Sequence, residues 1–259
     1  MFGTFADFGA GITHWRTSYQ LGLQDIFLRY RRSVLGPFWI SASLLATVLA
    51  LAYVFSAVFQ QDLPGYIAFL GAGLLAWQLI LSLTNEGCQS VMEHAGLLRN
   101  VPMPLPVIAA RVVVRNFIIF VHNAVAIVAV LIFFGNKPTW LALEALPGVA
   151  VILAIGYFLA MVMGPICARF RDVPQAVQSI MQVIFFLTPI FWMPSAVSNR
   201  PMFTHANPFY HLIELVRAPL LGHQATLLNW QVALGTLAVV IVMAFISVSI
   251  ARKRISLWI

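Results

Sequence analysis

The chain has 259 residues, 61% of them hydrophobic and only 9% charged, with a formal net charge of +7. A soluble domain carries roughly 25% charged residues, so a water-exposed globular fold is excluded and lipid must be the solvent. The basic residues gather at the edges of apolar stretches, which excludes a nucleic-acid patch and points to membrane topology.

Residues 1–35 form a polar, basic lead. Trp15, Tyr19, Leu23 and Phe27 recur every four residues, with Ile26 and Tyr30 beside them. On a helix these six share one apolar arc, and Asp25, Arg29, Arg31 and Arg32 fall outside it. The pattern predicts an amphipathic interface helix, aromatics on one side and arginines on the other. Such a helix either anchors the first span or also lines a substrate entrance or supports a partner.

Gly36-Pro37 marks the turn into the first span, Pro37–Phe59, which has no charge between Arg32 and Asp62. A hydrocarbon core of ~30 Å needs about 20 apolar residues. This stretch is too long for a signal-peptide core and lies behind a basic lead, so no cleavable leader is expected. Five more spans are predicted at Tyr66–Thr84, Val107–Phe134, Leu146–Ala168, Val173–Met193 and Leu228–Ala251.

The interval after the second span begins as a helix. It continues through Pro102, Pro104 and Pro106, whose alternation predicts a stiff, extended connector. A plain loop and a force-receiving element both fit. The next turn on that side is Arg169-Phe170-Arg171-Asp172-Val173-Pro174, where Asp172 is expected to cap the following helix. Trp192 suits an interfacial aromatic belt.

Phe203–Leu221 is too apolar for an exposed loop, yet Pro208, Pro219, Glu214 and Arg217 make it a poor span. It is predicted as a re-entrant helical hairpin before the last span, started by Asn207-Pro208, in preference to an interfacial helix lying flat. Glu214 and Arg217 are three apart and should pair.

Twelve lysines and arginines flank one side of these spans: Arg16, Arg29, Arg31, Arg32, Arg99, Arg111, Arg115, Arg169, Arg171, Arg252, Lys253 and Arg254. Lys137, Arg200 and Arg217 are on the other. This bias puts both termini in the cytoplasm, as six spans also demand. Cys88 and Cys167 fall near that reducing face, so no disulfide is expected.

Catalytic chemistry is not apparent. The six histidines show no metal spacing. His122 and Asn123 lie inside the third span, where a histidine bonded to a neighbouring helix is favoured over a functional one. A P-loop needs lysine followed by Ser or Thr. Lys137 precedes Pro138 and Lys253 precedes Arg254, so ATP hydrolysis is not expected of this chain. Only Glu86 and Glu214 sit at or near membrane depth, which disfavours a proton-coupled carrier.

Several segments carry a family resemblance. Leu28-Arg29-Tyr30-Arg31-Arg32-Ser33-Val34-Leu35-Gly36-Pro37-Phe38-Trp39 resembles the entry to span one in membrane subunits of ABC-2 type exporters. The branch concerned moves lipid-linked polysaccharides: O-antigen, capsule and teichoic acid. Leu98 to Pro104 resembles its connector and Ala168 to Val173 its second cytoplasmic turn. Thr188-Pro189-Ile190-Phe191-Trp192 and Asn207-Pro208 are similar to its fifth-span end and outer hairpin.

The resemblance implies one ABC-2 membrane domain over 1–259, with an interface helix in 1–35 and six spans in 36–259. It implies a homodimer with two copies of a P-loop ATPase, which bind the ATP and magnesium; this chain itself holds no cofactor. It implies a multi-pass protein of the bacterial cytoplasmic membrane whose substrate is a lipid-linked polysaccharide, O-antigen first and capsule next. Glu93, Arg99, Arg169, Arg171 and Asp172 would then face the ATPase. Trp15, Tyr19, Phe27, Arg29, Arg31 and Arg32 would form the interface helix. Phe38, Trp39, Trp77, Tyr157, Phe185, Phe186 and Trp192 become candidates for the sugar pathway, since a sugar ring stacks on an aromatic face; for each, lipid contact or core packing is the commoner role. Asn207, Pro208, Glu214 and Arg217 would form the outer gate. Two other readings stay open: an ABC-2 exporter of small lipids or drugs, and a membrane-embedded glycosyl or acyl transferase.

Overall fold

The computed structural model describes residues 13–31, 36, 38–100, 103–137, 139–194 and 202–251. Their regular structure is helical throughout. In chain order the helices are α1 (Trp15–Tyr30), α2 (Phe38–Val58), α3 (Leu63–Glu93), α4 (Ala95–Asn100) and α5 (Leu105–Phe133). A 3-10 turn at Trp140–Glu144 leads into α6 (Ala145–Arg169). Then come α7 (Val173–Leu187), α8 (Met202–His205), α9 (Pro208–Leu220) and α10 (Leu227–Ala251).

Among the described residues, five helices are long and apolar enough to cross a membrane: α2, α3, α5, α6 with its leading turn, and α10. The expected fifth span, Val173–Met193, falls short. Its helix α7 stops at Leu187 after 15 residues, about 22 Å of rise against a core of ~30 Å. Thr188 turns its hydroxyl back to the Ile184 carbonyl at 2.8 Å, and Pro189 has no N–H to continue the ladder. The region expected to form a hairpin is two helices, α8 and α9, with Ala206 and Asn207 between them. So the expected six long spans become five among the described residues, with shorter helical pieces between the fourth and the fifth.

Helix α3 is the centre of the bundle and buries most of its surface, whereas α2, α5 and α10 each bury one stripe. It runs past the predicted Tyr66–Thr84 at both ends, and its start is fixed by Asp62: the Gly65 N–H donates to Asp62 Oδ2 at 2.8 Å, with Pro64 in the first turn.

Helices in lipid gain little from burying apolar surface, so they associate through close contact of small residues. Helix α6 approaches α3 through Gly156 and Gly164. A Cβ at either would stand 2.7 Å from Leu83 Cδ1 or Ser90 Oγ respectively. Helix α9 sits on α6 in the same manner, since a Cβ at Gly148 would meet the Leu215 carbonyl at 2.6 Å.

Pro165 lies inside α6 and cannot donate to the Met161 carbonyl. The Ser247 hydroxyl of α10 lies within hydrogen-bonding reach of Met161 O (3.2 Å) and Val162 O (3.3 Å) and takes that role.

Two local expectations change. Asp172 does precede α7, but its backbone is already helical and its carboxylate accepts no capping bond; a capping side chain needs extended backbone. Pro106 belongs to the first turn of α5, so the extended part of the connector ends at Pro104. Val101 and Pro102 lie outside the described residues.

Candidate functional site

Helix α1 lies on α5, and its docking face is not the aromatic one. Ser18 and Gly22 are buried there. The Ser18 hydroxyl donates to Val107 O at 3.3 Å, and a Cβ at Gly22 would stand 2.8 Å from Val114 Cγ1. Trp15, Tyr19 and Phe27 point away from the protein; Phe27 is 73% exposed. That leaves an aromatic face free to meet the bilayer interface. Arg31 is exposed. Arg32 and the side chain of Arg29 lie outside the described residues.

Asp25 lies outside the apolar arc as expected, and there it faces α5 as part of the docking surface. Arg111 Nε donates to Asp25 Oδ2 at 2.7 Å, and a second guanidinium nitrogen reaches Asp25 Oδ1. Arg115 contacts Asp25 Oδ2 at 3.4 Å and pairs with Glu86 Oε2 at 2.7 Å. Asn116 also donates to Glu86 and to Val112 O. Burial alone would raise the Asp25 pKa, but the Arg111 hydrogen bond and the nearby charges outweigh it and hold the carboxyl below its ordinary range.

This network ties the interface helix to α3 and α5, and the sequence reading missed it. Arg111 and Arg115 counted there only as basic residues near a boundary. Their four-residue spacing inside an apolar run was the available signal, because such a pair shares one helix face and must find counter-charges.

At the same end, the turn 169–172 projects from the bundle with Arg169, Phe170, Arg171 and Asp172 all exposed. The Arg169 guanidinium lies over the Phe170 ring at 5.0 Å. Glu93 is exposed at the end of α3, and the Arg99 side chain lies outside the described residues. A short charged projection beside an exposed carboxylate can dock a partner and transmit its movement.

The aromatic candidates separate into groups. Trp77 is 3% exposed and packs on Phe185 at 5.6 Å and Phe209 at 6.0 Å. Phe185 also contacts Phe186, and both touch Phe191. Trp192 joins this cluster by donating its indole N–H to Phe186 O at 3.1 Å. Phe38 and Trp39 are exposed at the start of α2, Phe38 edge-on to His122. Tyr157 stands apart, half-buried against Phe158.

His122 bonds to Ile118 O of its own helix, while its neighbour Asn123 accepts from Ser41 of α2 at 2.9 Å. The expected interhelical bond exists, but Asn123 makes it.

The opposite end carries a second ionic centre. Arg217, 1% exposed, pairs with Glu214 as the spacing predicted, and donates to Pro189 O at 2.7 Å. Its guanidinium carbon sits 4.2 Å from the Phe69 ring centroid. One side chain thus joins α9 to α3 and to the bend after α7. Asn207 caps α9 by accepting from the Phe209 N–H at 3.0 Å, with Pro208 first in the helix, and its amide donates to Thr188 Oγ1 at 2.9 Å. His211 contacts Asn229 Oδ1 at 2.7 Å and His205 O at 3.1 Å. A cavity of about 320 Å³, lined by Tyr210, Glu214, Arg217, His223 and Asn229 among others, opens beside these groups. Among the described residues no three His, Cys, Asp or Glu side chains are grouped to hold a metal ion.

Residues 18–221 match the family model described as ABC-2 type transporter. The chain is 26% identical over 236 residues to the O-antigen export system permease protein RfbA of Myxococcus xanthus, covering 89% of this chain and 90% of that protein. It is 25% identical over 178 residues to a protein of the same name from Klebsiella pneumoniae, covering 68% and 69%.

Proposed function

The chain belongs to the ABC-2 type transporter family, and from that premise we propose that it is the membrane subunit of an ATP-driven exporter of a lipid-linked polysaccharide. It is a multi-pass membrane protein and a transporter subunit by family. The observation that carries the finer reading is a relative, matched along nine-tenths of both chains, that is named for O-antigen export. O-antigen is therefore the favoured cargo and capsule the next. The Arg-Arg-Ser-Val-Leu-Gly-Pro-Phe-Trp segment into α2 supports the same branch.

In this reading two copies of the chain enclose the pathway and two P-loop ATPase subunits drive it from the cytoplasm. Both termini are cytoplasmic, in line with the basic residues at the α1 end. The exposed turn at 169–172, with Glu93 beside it, receives the ATPase. Helix α1 lies in the interface with its aromatics in lipid, and the Asp25–Arg111–Arg115–Glu86 network passes its displacement to α3 and α5. Helices α8 and α9 dip back from the outer side as a gate latched by Arg217. With α7 and the bend after it completing a crossing, the chain passes the membrane six times. Exposed aromatics at Phe38, Trp39 and Phe186 offer sugar-stacking surface.

The test is co-reconstitution with a candidate partner P-loop ATPase from the same organism. The chain alone should turn over no ATP, and its presence should raise the partner's turnover. Arg171→Glu and Asp172→Lys should each cut that stimulation at least about tenfold while the chain still inserts, because a like-charge contact at an interface costs more than the ~1.4 kcal/mol that a factor of ten represents. ATP turnover by the purified chain, or full stimulation by both variants, would contradict the reading.

A cysteine at Ser198, in a Cys88→Ser/Cys167→Ser background, should react with a membrane-impermeant maleimide from outside the cell; one at Ser256 should not. Labelling at 256 from outside would overturn the proposed orientation and the gate.

A further inference from the structure

Helix α3 is the most buried of the long helices, yet between Gly65 and Val91 it exposes Gln78 and Gln89. Ser82 and Asn85, between them, are half-buried. At about 100° per residue these four fall within about 60° of arc. The most open face of the central helix is therefore a polar stripe, about 16 Å long at 1.5 Å per residue.

Helix α7 carries a second stripe. Its seam with α3 runs through Met181, which is buried, and Phe185, which packs on Trp77. Two exposed flanks remain. One is apolar: Ala176, Ile180, Val183 and Leu187. The other holds Gln175, Gln178, Ser179 and Gln182, with Phe186 one turn further on. Lipid satisfies the first flank. It cannot satisfy the second, because an amide in hydrocarbon loses its hydrogen bonds to water and gains none. Among the described residues, the side-chain amides of Gln78, Gln89, Gln175, Gln178 and Gln182 have no partner.

The two stripes lie on one side of the α3–α7 seam. Viewed from its own N-terminus, each is clockwise of the contact, the α3 stripe from Trp77 and the α7 flank from Met181. Helix α3 ends and α7 begins at the α1 end, so the two run antiparallel, and equal senses on antiparallel helices point the same way. Their depths match as well. Counted from Trp77 and Phe185 toward the α1 end, Gln78 is level with Gln182, Ser82 with Ser179 and Asn85 with Gln178, to within about one turn.

We propose that this α3–α7 track is a binding surface for an uncharged, hydroxyl-rich polymer, whose hydroxyls bond the glutamine amides as it crosses the membrane. The proposal rests on the polysaccharide-export reading and narrows it to a glycan without charged groups in its repeat. Each amide both donates and accepts, which is what a hydroxyl offers in return. Neither stripe carries a charge, and Glu86 beside the α3 stripe is taken up by Arg115 and Asn116, so an anionic chain meets no cation there. Phe186, 58% exposed on the same flank, adds a ring face for a sugar at the outer end. A helix of a second copy is the poorer match, since membrane helices close on one another through small residues and long glutamines hold a helix away.

The experiment is photo-cross-linking in cells that export the polymer, with benzoylphenylalanine placed at one position of the full chain at a time. Gln178→benzoylphenylalanine and Gln182→benzoylphenylalanine should capture polysaccharide on illumination, and Val183→benzoylphenylalanine on the apolar flank should not. Adducts from 178 and 182 to a second copy of this chain, or to lipid alone, would make the track an interface or a lipid face and overturn the proposal. In a strain deleted for the chain, Gln178→Leu with Gln182→Leu should restore about tenfold less surface polysaccharide than the wild type, the factor expected from two lost hydrogen bonds. The Gln178→Asn, Gln182→Asn pair should recover most of it, and all these proteins should stimulate the ATPase alike. Full export by the double leucine variant would overturn the track and leave the export reading standing. Normal surface polysaccharide in the deletion strain itself would overturn both.

Discussion

Arg115→Ala should destabilise the protein by about 3–5 kcal/mol, because it takes the ion pair away from Glu86, a largely buried carboxylate. Arg115 is 7% exposed at its side chain, and Glu86 and Asp25 are 17% and 11% exposed. Asp25 keeps Arg111, but Glu86 loses its ion pair and retains the Asn116 amide. The variant should unfold at lower temperature in detergent and should release α1 to protease. Glu86→Gln should cost less, since a neutral amide still accepts from Arg115. The double change Arg115→Met with Glu86→Leu should recover much of the loss, since removing both charges removes the desolvation penalty with them. An Arg115→Ala protein within about 1 kcal/mol of wild type would show that the network holds nothing.

The same network has a defined pH behaviour. The Asp25 pKa is lowered in the folded protein, so its contribution is complete above the unfolded carboxylate value of about 3.9 and is lost as pH falls through the folded value. Bringing the purified protein from neutral pH to about pH 5 therefore leaves the α1 attachment intact by this route.

The second large effect is at the opposite end. Arg217→Lys should behave almost as badly as Arg217→Ala. The guanidinium meets Glu214, the Pro189 carbonyl and the Phe69 ring at once, and an ammonium cannot reproduce that planar fork. Its loss should cost about 3–5 kcal/mol and free α9 from the bend after α7. Gly73 leaves room for it: a Cβ there would stand 3.3 Å from an Arg217 guanidinium nitrogen. Limited proteolysis of the purified protein and thermal unfolding measure the two consequences. Wild-type behaviour of Arg217→Lys would show that charge alone suffices and that the latch geometry is incidental.

How much of this was legible follows from what each signal encodes. The long uninterrupted apolar runs located α2, α3, α5, α6 and α10, because length and hydropathy are local properties. Asn207-Pro208 and the Glu214–Arg217 pair were readable for the same reason: cap and i,i+3 neighbours lie within one turn. The end of α7 was not, because Val173–Met193 reads as apolar throughout while Thr188 and Pro189 end the helix inside it. The partner of Asp25 was not, because a helix with two usable faces does not announce which one docks. The deciding contacts, Gly22 on Val114 and Asp25 on Arg111, join segments about ninety residues apart. The contact of Ser247 with the Met161 carbonyl that Pro165 leaves without its helical donor is likewise nonlocal.

The most direct measurement removes the chain from the cell that makes it and follows the polymer. With the chain deleted and the proposed ATPase partner left intact, lipid-linked polysaccharide should accumulate inside the cell and disappear from the surface. The wild-type chain should restore it, and a chain carrying Arg171→Glu should not. Surface polysaccharide at its normal level in the deletion strain would contradict polysaccharide export as the function.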